Sequence, residues 1–315
     1  MAIKIVRNDI HDIEAALLEA DILRHVNSHN DRRGTSLCVT MLNQFYFLDR
    51  RHYCLVFESL RSSLYDFMKN HDFQPFPLYC VQDFSYQLLD VLEFLHSIKL
   101  IHTDLKPENI LLVSDKVKKY TVCTNRGRLT NTIVPESTRI KLIDFGGATF
   151  DDDYKSSVIN TREYRAPEIL LKLSTRWSFP SDMWSLGCIL AELYTGECLF
   201  LASDKYEHFA LIDGVVGPFP KHMIEDSPVA KPFFDSNGRF RRQALPSISS
   251  QTMVEQVQPL EDMNVNGNNN SNNDDQAFRL LQLLMKLLVI DPCLRATASE
   301  AFQLPFPKGC KLSYL

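Results

Sequence analysis

Ten residues, Ile101-His-Thr-Asp-Leu-Lys-Pro-Glu-Asn-Ile110, constrain this chain more than any other stretch. They set a carboxylate (Asp104), an ammonium (Lys106) and an amide (Asn109) into one short Pro-containing loop. Before the loop, Val81, Phe84, Leu88, Val91, Leu92 and Leu95 recur at helical spacing; after it, Ile110 to Val113 is an apolar, strand-like run. Phosphoryl transfer asks little covalent chemistry of a protein, mainly a group to orient the attacking hydroxyl and positive charge to offset the phosphates. Asp104 meets the first need, Lys106 the second, and Asn109 is suited to hold a metal. A polar loop whose Asp104 and Asn109 merely cap a turn is the bland alternative. It would win for one isolated triplet, but not for nine residues in this order with partners further along.

H-x-D-L-K-P-E-N resembles the catalytic loop of eukaryotic protein kinases, and Lys106-Pro107-Glu108 resembles their serine/threonine-directed branch. The resemblance implies an α+β, bilobal protein-kinase-like fold with a mainly helical C-lobe. Residues 1–60 would form the N-lobe and hinge, and 61–315 the C-lobe, with polar insertions near 114–139 and 225–276. Ala2 to Val6 reads as a strand similar to the V-A-I-K strand, with Met1 in place of its Val, so Lys4 would reach the ATP phosphates. Ile13, Ala16, Leu17, Ala20, Leu23 and Val26 predict an amphipathic helix with Glu19 at its middle, matching the glutamate that pairs with that lysine. The sequence starts at the lysine strand, so a truncated N-lobe without the glycine-rich hairpin is expected. A catalytically impaired binding module is therefore the alternative to an enzyme. A polar loop around Asn27 to Gly34 is followed by two expected strands, Cys38 to Leu42 and Tyr53 to Phe57.

For the nucleotide, the resemblance implies Phe57 at the back of the adenine pocket, Glu58 and Leu60 in the hinge, and Leu111 among the ATP contacts. Asp66 would face the ribose or cap a helix that starts near Ser62. After the strand Ile140 to Ile143 comes Asp144-Phe-Gly146, which resembles the D-F-G element; Asp144 and Asn109 would hold Mg2+, making ATP and Mg2+ the cofactors. Thr161 and Arg162 belong to the substrate loop before Ala166-Pro-Glu168, a segment that disfavours a small-molecule kinase. His102, Asp182 and the pair Glu168 and Arg295 are implied to be structural. Glu207-His-Phe-Ala-Leu-Ile-Asp-Gly-Val-Val-Gly-Pro218 resembles the LAMMER signature in its frame, Glu207, His208, Ala210, Gly217 and Pro218. Its centre departs from that signature, and Glu163 stands where the LAMMER kinases usually carry His. The likeness implies Arg/Ser-rich protein substrates such as splicing factors, autophosphorylation on Tyr, and a site of action in the nucleus rather than, or as well as, the cytoplasm; a monomer is expected.

Apolar residues at 45% and charged residues at 23% suit a globular chain of 315 residues. A net charge of -5 argues against a nucleic-acid binder held by phosphate neutralisation. Lys116, Lys118, Lys119, Arg126 and Arg128 in the first insertion read as a solvated hairpin, and the run of Asn residues from Asn264 as a low-complexity loop. Phe278, Leu281, Leu284, Leu287 and Leu288 predict a core-facing helix, and Thr297 with Glu300 a capping box. The eight cysteines show no C-x-x-C pair, so neither zinc nor a disulfide framework is expected. No stretch has the length of a membrane span and no signal peptide is expected at the start. Thr103 precedes Asp104 where most kinases carry an arginine that pairs with an activation-loop phosphate. Replacing Ser156 and Ser157 with Ala is therefore expected to keep the phosphorylation rate within about tenfold of the parent, roughly 1.4 kcal/mol of barrier; a larger drop in a steady-state assay would sink that expectation.

Overall fold

Period-two alternation at the start of the chain puts Lys4 on one face of a strand and exposes Ile3 and Ile5 on the other. In the computed structural model, that strand is β1 (Ala2–Ile5), followed by α1 (Ile10–Ser28), α2 (Arg32–Leu37), β2 (Met41–Phe47) and β3 (His52–Phe57). β3 is the central strand, antiparallel to both neighbours, with Lys4 opposite Leu55 on one side and Tyr46 opposite Tyr53 on the other. Asp9 caps α1 by accepting from His11 N at 2.9 Å. The described residues are 1–29, 32–47, 52–123, 129–153, 159–173, 177–263 and 271–308. Ser156, Ser157, Arg126, Arg128, Cys310 and 264–270 of the low-complexity run lie outside them.

Three expectations in this part need correction. Leu17 was expected in the core stripe of α1 but is 37% exposed, because the core under the sheet takes only Ala16 and Ala20, while Leu23 and Val26 enter the large core. The polar loop at 27–34 is largely helical: α1 continues to Ser28, and α2 packs so closely on the next long helix that a Cβ at Gly34 would sit 2.2 Å from Phe94 Cβ. Tertiary contact overrides local propensity there. The strand expected from Cys38 begins only at Met41; Cys38 makes a single parallel bridge to Leu142, and Val39 N donates to Leu142 O at 2.9 Å.

The larger, mainly helical part runs α3 (Leu64–Asn70), α4 (Leu78–Ser97), β4 (Leu100–Ile101), β5 (Ile110–Leu112), β6 (Val117–Cys123), β7 (Leu129–Pro135), β8 (Ile140–Leu142) and β9 (Thr149–Phe150). Then come α5 (Pro167–Leu170), α6 (Pro180–Thr195), α7 (Lys205–Val215), α8 (Lys221–Asp226), α9 (Ile248–Glu255), α10 (Ser271–Leu287), α11 (Ala298–Phe302) and α12 (Pro305–Lys308). β6 and β7 form the hairpin expected for the first insertion. Every residue of the predicted α4 stripe is buried. α6 is buried on all sides from Ser181 to Leu193, the mark of a central helix. Residues 225–276, expected to be irregular, contain α9 and two 3-10 turns, and α10 begins within them. Phe278 is 54% exposed, since Ala277 and Leu280 take the inner face at the start of α10; the rest of the predicted stripe, Leu281, Leu284, Leu287 and Leu288, is buried. Ser63 caps α3, its hydroxyl accepting from Asp66 N at 3.0 Å and donating to the Asp66 carboxylate at 2.7 Å, so Asp66 is engaged at the cap. The Thr297–Glu300 capping box is present.

Two cores result. A small one joins Val6, Ala16, Ala20, Tyr53 and Leu55 beneath the sheet, and a large one fills the helical part; Met41 and Phe57 pack against both. Deep in the larger part, Arg295 NH1 and NH2 meet Glu168 Oε1 and Oε2 at 2.8 and 2.9 Å with both side chains fully enclosed. Removing one partner of such a pair strands a buried charge. Arg295→Met is expected to cost about 3–5 kcal/mol in urea unfolding, and the double variant with Glu168→Met to recover part of it; a double variant no more stable than Arg295→Met would refute this account.

Candidate active site

The loop 102–109 is shaped from below. Asp182, fully buried near the start of α6, accepts His102 N at 2.9 Å and Thr103 N at 3.0 Å, and lies 3.2 Å from His96 Nε2. Thr103 has a φ of 70°, unfavourable for a β-branched residue, and is kept there by that carboxylate. The Thr103 hydroxyl donates to Gly147 O at 2.7 Å, tying the loop to the segment after D-F-G. His102 Nδ1 accepts from Asp104 N at 3.3 Å, so Nε2 carries the hydrogen and donates to Ile143 O at 3.0 Å. With both ring nitrogens engaged, His102 is a strut between the loop and Ile143, the residue that follows β8.

On this base stands the Asp104 carboxylate. Asp104 Oδ2 meets Lys106 Nζ at 2.7 Å, and Oδ1 accepts Thr161 Oγ1 at 2.8 Å and Thr161 N at 3.0 Å. Lys106 Nζ also donates to Thr161 Oγ1 at 3.0 Å, closing a ring of three side chains. Burial works to raise the Asp104 carboxyl, but hydrogen bonds from Lys106 and Thr161 and the Lys106 charge outweigh it, leaving a net lowering below the usual carboxylate range. Asn109 donates to Asp104 O at 2.9 Å, which occupies its amide nitrogen and leaves the amide oxygen as the donor for a cation.

Asn109 O accepts Ile143 N at 2.9 Å, so the loop also positions the start of D-F-G. Phe145 is fully buried with its ring 5.1 Å from that of His102, while Asp144, at φ 62°, is exposed. Lys4 Nζ reaches Glu19 Oε2 at 2.7 Å. Burial raises the Glu19 carboxyl, Lys4 lowers it and the nearby Asp144 carboxylate raises it again, with a net rise. A Cβ on Gly146 would stand 3.4 Å from Asp144 Oδ1 and 3.7 Å from Glu19 Oε2, so Lys4, Glu19 and Asp144 share one region. A cleft of about 290 Å³ runs here between β1, α1 and Gly146. Among the described residues no group of three His, Cys, Asp or Glu side chains could hold a metal by itself. An oxygen set of Asp144 and Asn109 fits Mg2+, which commonly takes one or two protein ligands and completes its shell with phosphates and water.

At the hinge, Arg61 N donates to Leu112 O and Leu112 N to Ser62 O, laying the chain after Leu60 along β5, which carries Leu111. The Glu58 side chain turns away to Lys141 and Thr40. Arg162 donates to the carbonyls of Ala202 and Ser203, so its guanidinium braces the loop before α7. The sequence reading passed over Thr40, Lys141, Gly147 and Glu192. Only Lys141 left a signal, a charged residue inside the apolar run Ile140 to Ile143.

The family model for the protein kinase domain matches residues 1–307. Serine/threonine-protein kinase AFC2 of Arabidopsis thaliana is 38% identical over 97% of this chain and 70% of its own length. Dual specificity protein kinase CLK1 of Homo sapiens is 40% identical over 97% of this chain and 60% of its own. Dual specificity protein kinase lkh1 of Schizosaccharomyces pombe is 40% identical over 97% of this chain and 42% of its own. The crystal structure of the PF14_0431 kinase domain superposes with a TM-score of 0.86 at 35% identity, covering 97% of this chain and 87% of that one.

Because Asp104 is lowered in the folded state, its contribution to stability is present above the ordinary carboxylate range and is lost as pH falls through its lowered value. Carboxyl-carbon NMR is expected to find Asp104 titrating below that range in the parent and higher in Lys106→Met; an unchanged titration would break the link between the two side chains.

Proposed function

The chain belongs to the protein kinase family and, with the CLK, AFC and lkh1 kinases, to its LAMMER branch; on that premise we propose that it transfers the γ-phosphoryl group of ATP to protein serine and threonine hydroxyls. In this reading residues 1–60 and the C-lobe, 61–315, enclose the nucleotide between them. The base lies against Phe57, Leu60, Leu111 and the Glu58 backbone, and Lys4, held by Glu19, meets the α- and β-phosphates. Asp144 and Asn109 hold Mg2+, which when bound neutralises phosphate charge. The Asp104 carboxylate orients the substrate hydroxyl and takes its proton as the new oxygen–phosphorus bond forms and the bond to the β-phosphate oxygen breaks. Lys106 neutralises the group in transit. The observation that carries this reading is the closed ring of Asp104, Lys106 and Thr161, which already joins the catalytic loop to the substrate loop.

We extend the proposal to Arg/Ser-rich substrates on the support of a cluster of carboxylates around α6. Glu192 on α6 is pushed up to about 7, first by burial and then by the carboxylates of Glu108 and Glu163, against a lowering hydrogen bond from Tyr164 OH at 2.7 Å. Glu108 Oε2 is buried without a hydrogen-bond partner among the described residues. Glu192 itself is buried, so in this proposal a substrate arginine meets the half-buried Glu108 and Glu163 and its charge favours ionised Glu192 beside them. The human and fission-yeast relatives are dual specificity kinases, and on that likeness the proposal extends to autophosphorylation on tyrosine. The proposed form is a monomer acting in the nucleus, and among the described residues no helix is long and apolar enough to cross a membrane.

Transfer of labelled phosphate from ATP to an Arg/Ser-rich peptide is the direct test, with Asp104→Asn as control; equal incorporation by both would remove the catalytic proposal. Glu192 titrates at about 7, so the free enzyme favours its neutral form and loses stability as pH rises from the unfolded value near 4.5 through about 7. Binding an arginine favours the charged form instead. The KM for an Arg-containing peptide is therefore expected to fall as pH rises through about 7 in the parent and to lose that dependence in Glu192→Gln; the same profile in both would refute the assignment.

A further inference from the structure

We propose that Lys141 is a positioning residue that holds the base end of the nucleotide site in register with its metal end. The inference rests on the kinase reading and goes beyond it, because Lys141 touches neither the reacting atoms nor the phosphates in the mechanism above.

Lys141 is the middle residue of β8, opposite Leu111 of β5 and therefore on the same face of the two-stranded sheet. From that place its ammonium donates to Glu58 Oε1, to Cys38 O at 3.3 Å and to Thr40 Oγ1 at 3.5 Å. An ammonium has three hydrogens, so its capacity is filled. The acceptors come from two other segments: the stretch between α2 and β2, and the residue that follows β3. Those two are tied to each other as well, Thr40 N donating to Glu58 Oε1 at 2.7 Å and Glu58 N to Thr40 O at 3.1 Å. The side chains of Lys141 and Glu58 retain 13% and 28% of their exposure, so the pair is partly shielded from screening by solvent. Burial would raise the Glu58 carboxyl, but the bonds from Lys141 and Thr40 prevail and keep it below its usual value.

What this knot controls follows from the chain path. Glu58 opens the hinge, whose backbone meets the base. Lys141 stands three residues before Asp144, about 10 Å along an extended strand. β8 itself is short, and beyond it Ile143 N is held by Asn109 O. Cys38 bridges Leu142 in parallel, so the same knot also sets the lower edge of the stretch leading into β2. Without the ammonium, Glu58 keeps its bonds with Thr40 but loses its tie to β8, and the hinge can shift against that strand. A ligand that touches the hinge alone tolerates such a shift, whereas one that spans from hinge to Asp144 does not. A structural ion pair with no positioning role would change stability and leave the ratio of the two affinities alone.

The test is equilibrium binding of adenosine and of Mg·ATP by titration calorimetry to the full chain, in the parent, Lys141→Met and Lys141→Arg, with thermal midpoints recorded beside it. Lys141→Met is expected to weaken Mg·ATP by about tenfold or more while adenosine changes by less than about threefold. Lys141→Arg, which keeps the charge, is expected to recover most of the Mg·ATP affinity. Parallel weakening of both ligands, no weakening of either, or an arginine variant as weak as the methionine one would each overturn the inference and leave the kinase reading standing. A parent that binds neither ligand would overturn both.

Discussion

A single carboxylate beneath the catalytic loop is what the arrangement of the site depends on. Asp182 is fully buried, and an unpaired charge in that position would be costly. It is stable because consecutive backbone N–H groups, of His102 and Thr103, point at its two oxygens, with His96 beside them. That pair of bonds overcomes the reluctance of Thr103 to adopt a positive φ, and the bend it enforces turns Asp104 out toward Lys106 and Thr161. The strain at Thr103 is therefore offset by a carboxylate 79 positions away, and Asp144 also has a positive φ, 62°.

The second constraint is the way separate segments are made to report on one another. His102 joins the loop to Ile143 O, Thr103 joins it to Gly147, and Asn109 joins it to Ile143 N, so the catalytic loop and the D-F-G segment are bound at three points. Glu19 lies under the influence of both Lys4 and Asp144, so the placement of α1 bears on β1 and on the D-F-G segment together. Lys141, Glu58 and Thr40 likewise tie β8 to the residue after β3 and to the stretch before β2. The small core under the sheet contains few side chains, and Met41 and Phe57 carry its packing into the large core. With so little apolar surface of its own, the sheet owes its position to these polar ties as much as to burial.

Much of this was legible in the residues. Long periodic segments such as α4, and α10 through Leu284 and Leu287, announce themselves because one face must be apolar over several turns. The contiguous stretch from His102 to Asn109 names its own chemistry, since carboxylate, ammonium and amide stand side by side in the chain. Short elements were not legible. α2 contains a glycine and is helical because Phe94 closes over it, and α9 has no clear stripe. Leu17 and Phe278 were misjudged by one helical step, since periodicity gives a face but not the width of what covers it.

The sequence by itself determined which groups are present, their order, and the helices long enough to carry a period, because these depend on local spacing alone. Only the tertiary structure decided that Thr161 closes on Asp104 across 57 positions, that Glu58 turns to Lys141 across 83, and that Glu192 is crowded by Glu108 and Glu163. Those pairings depend on where distant segments come to rest, and a charged side chain carries the same letter whether it meets water, a partner or another charge of its own sign.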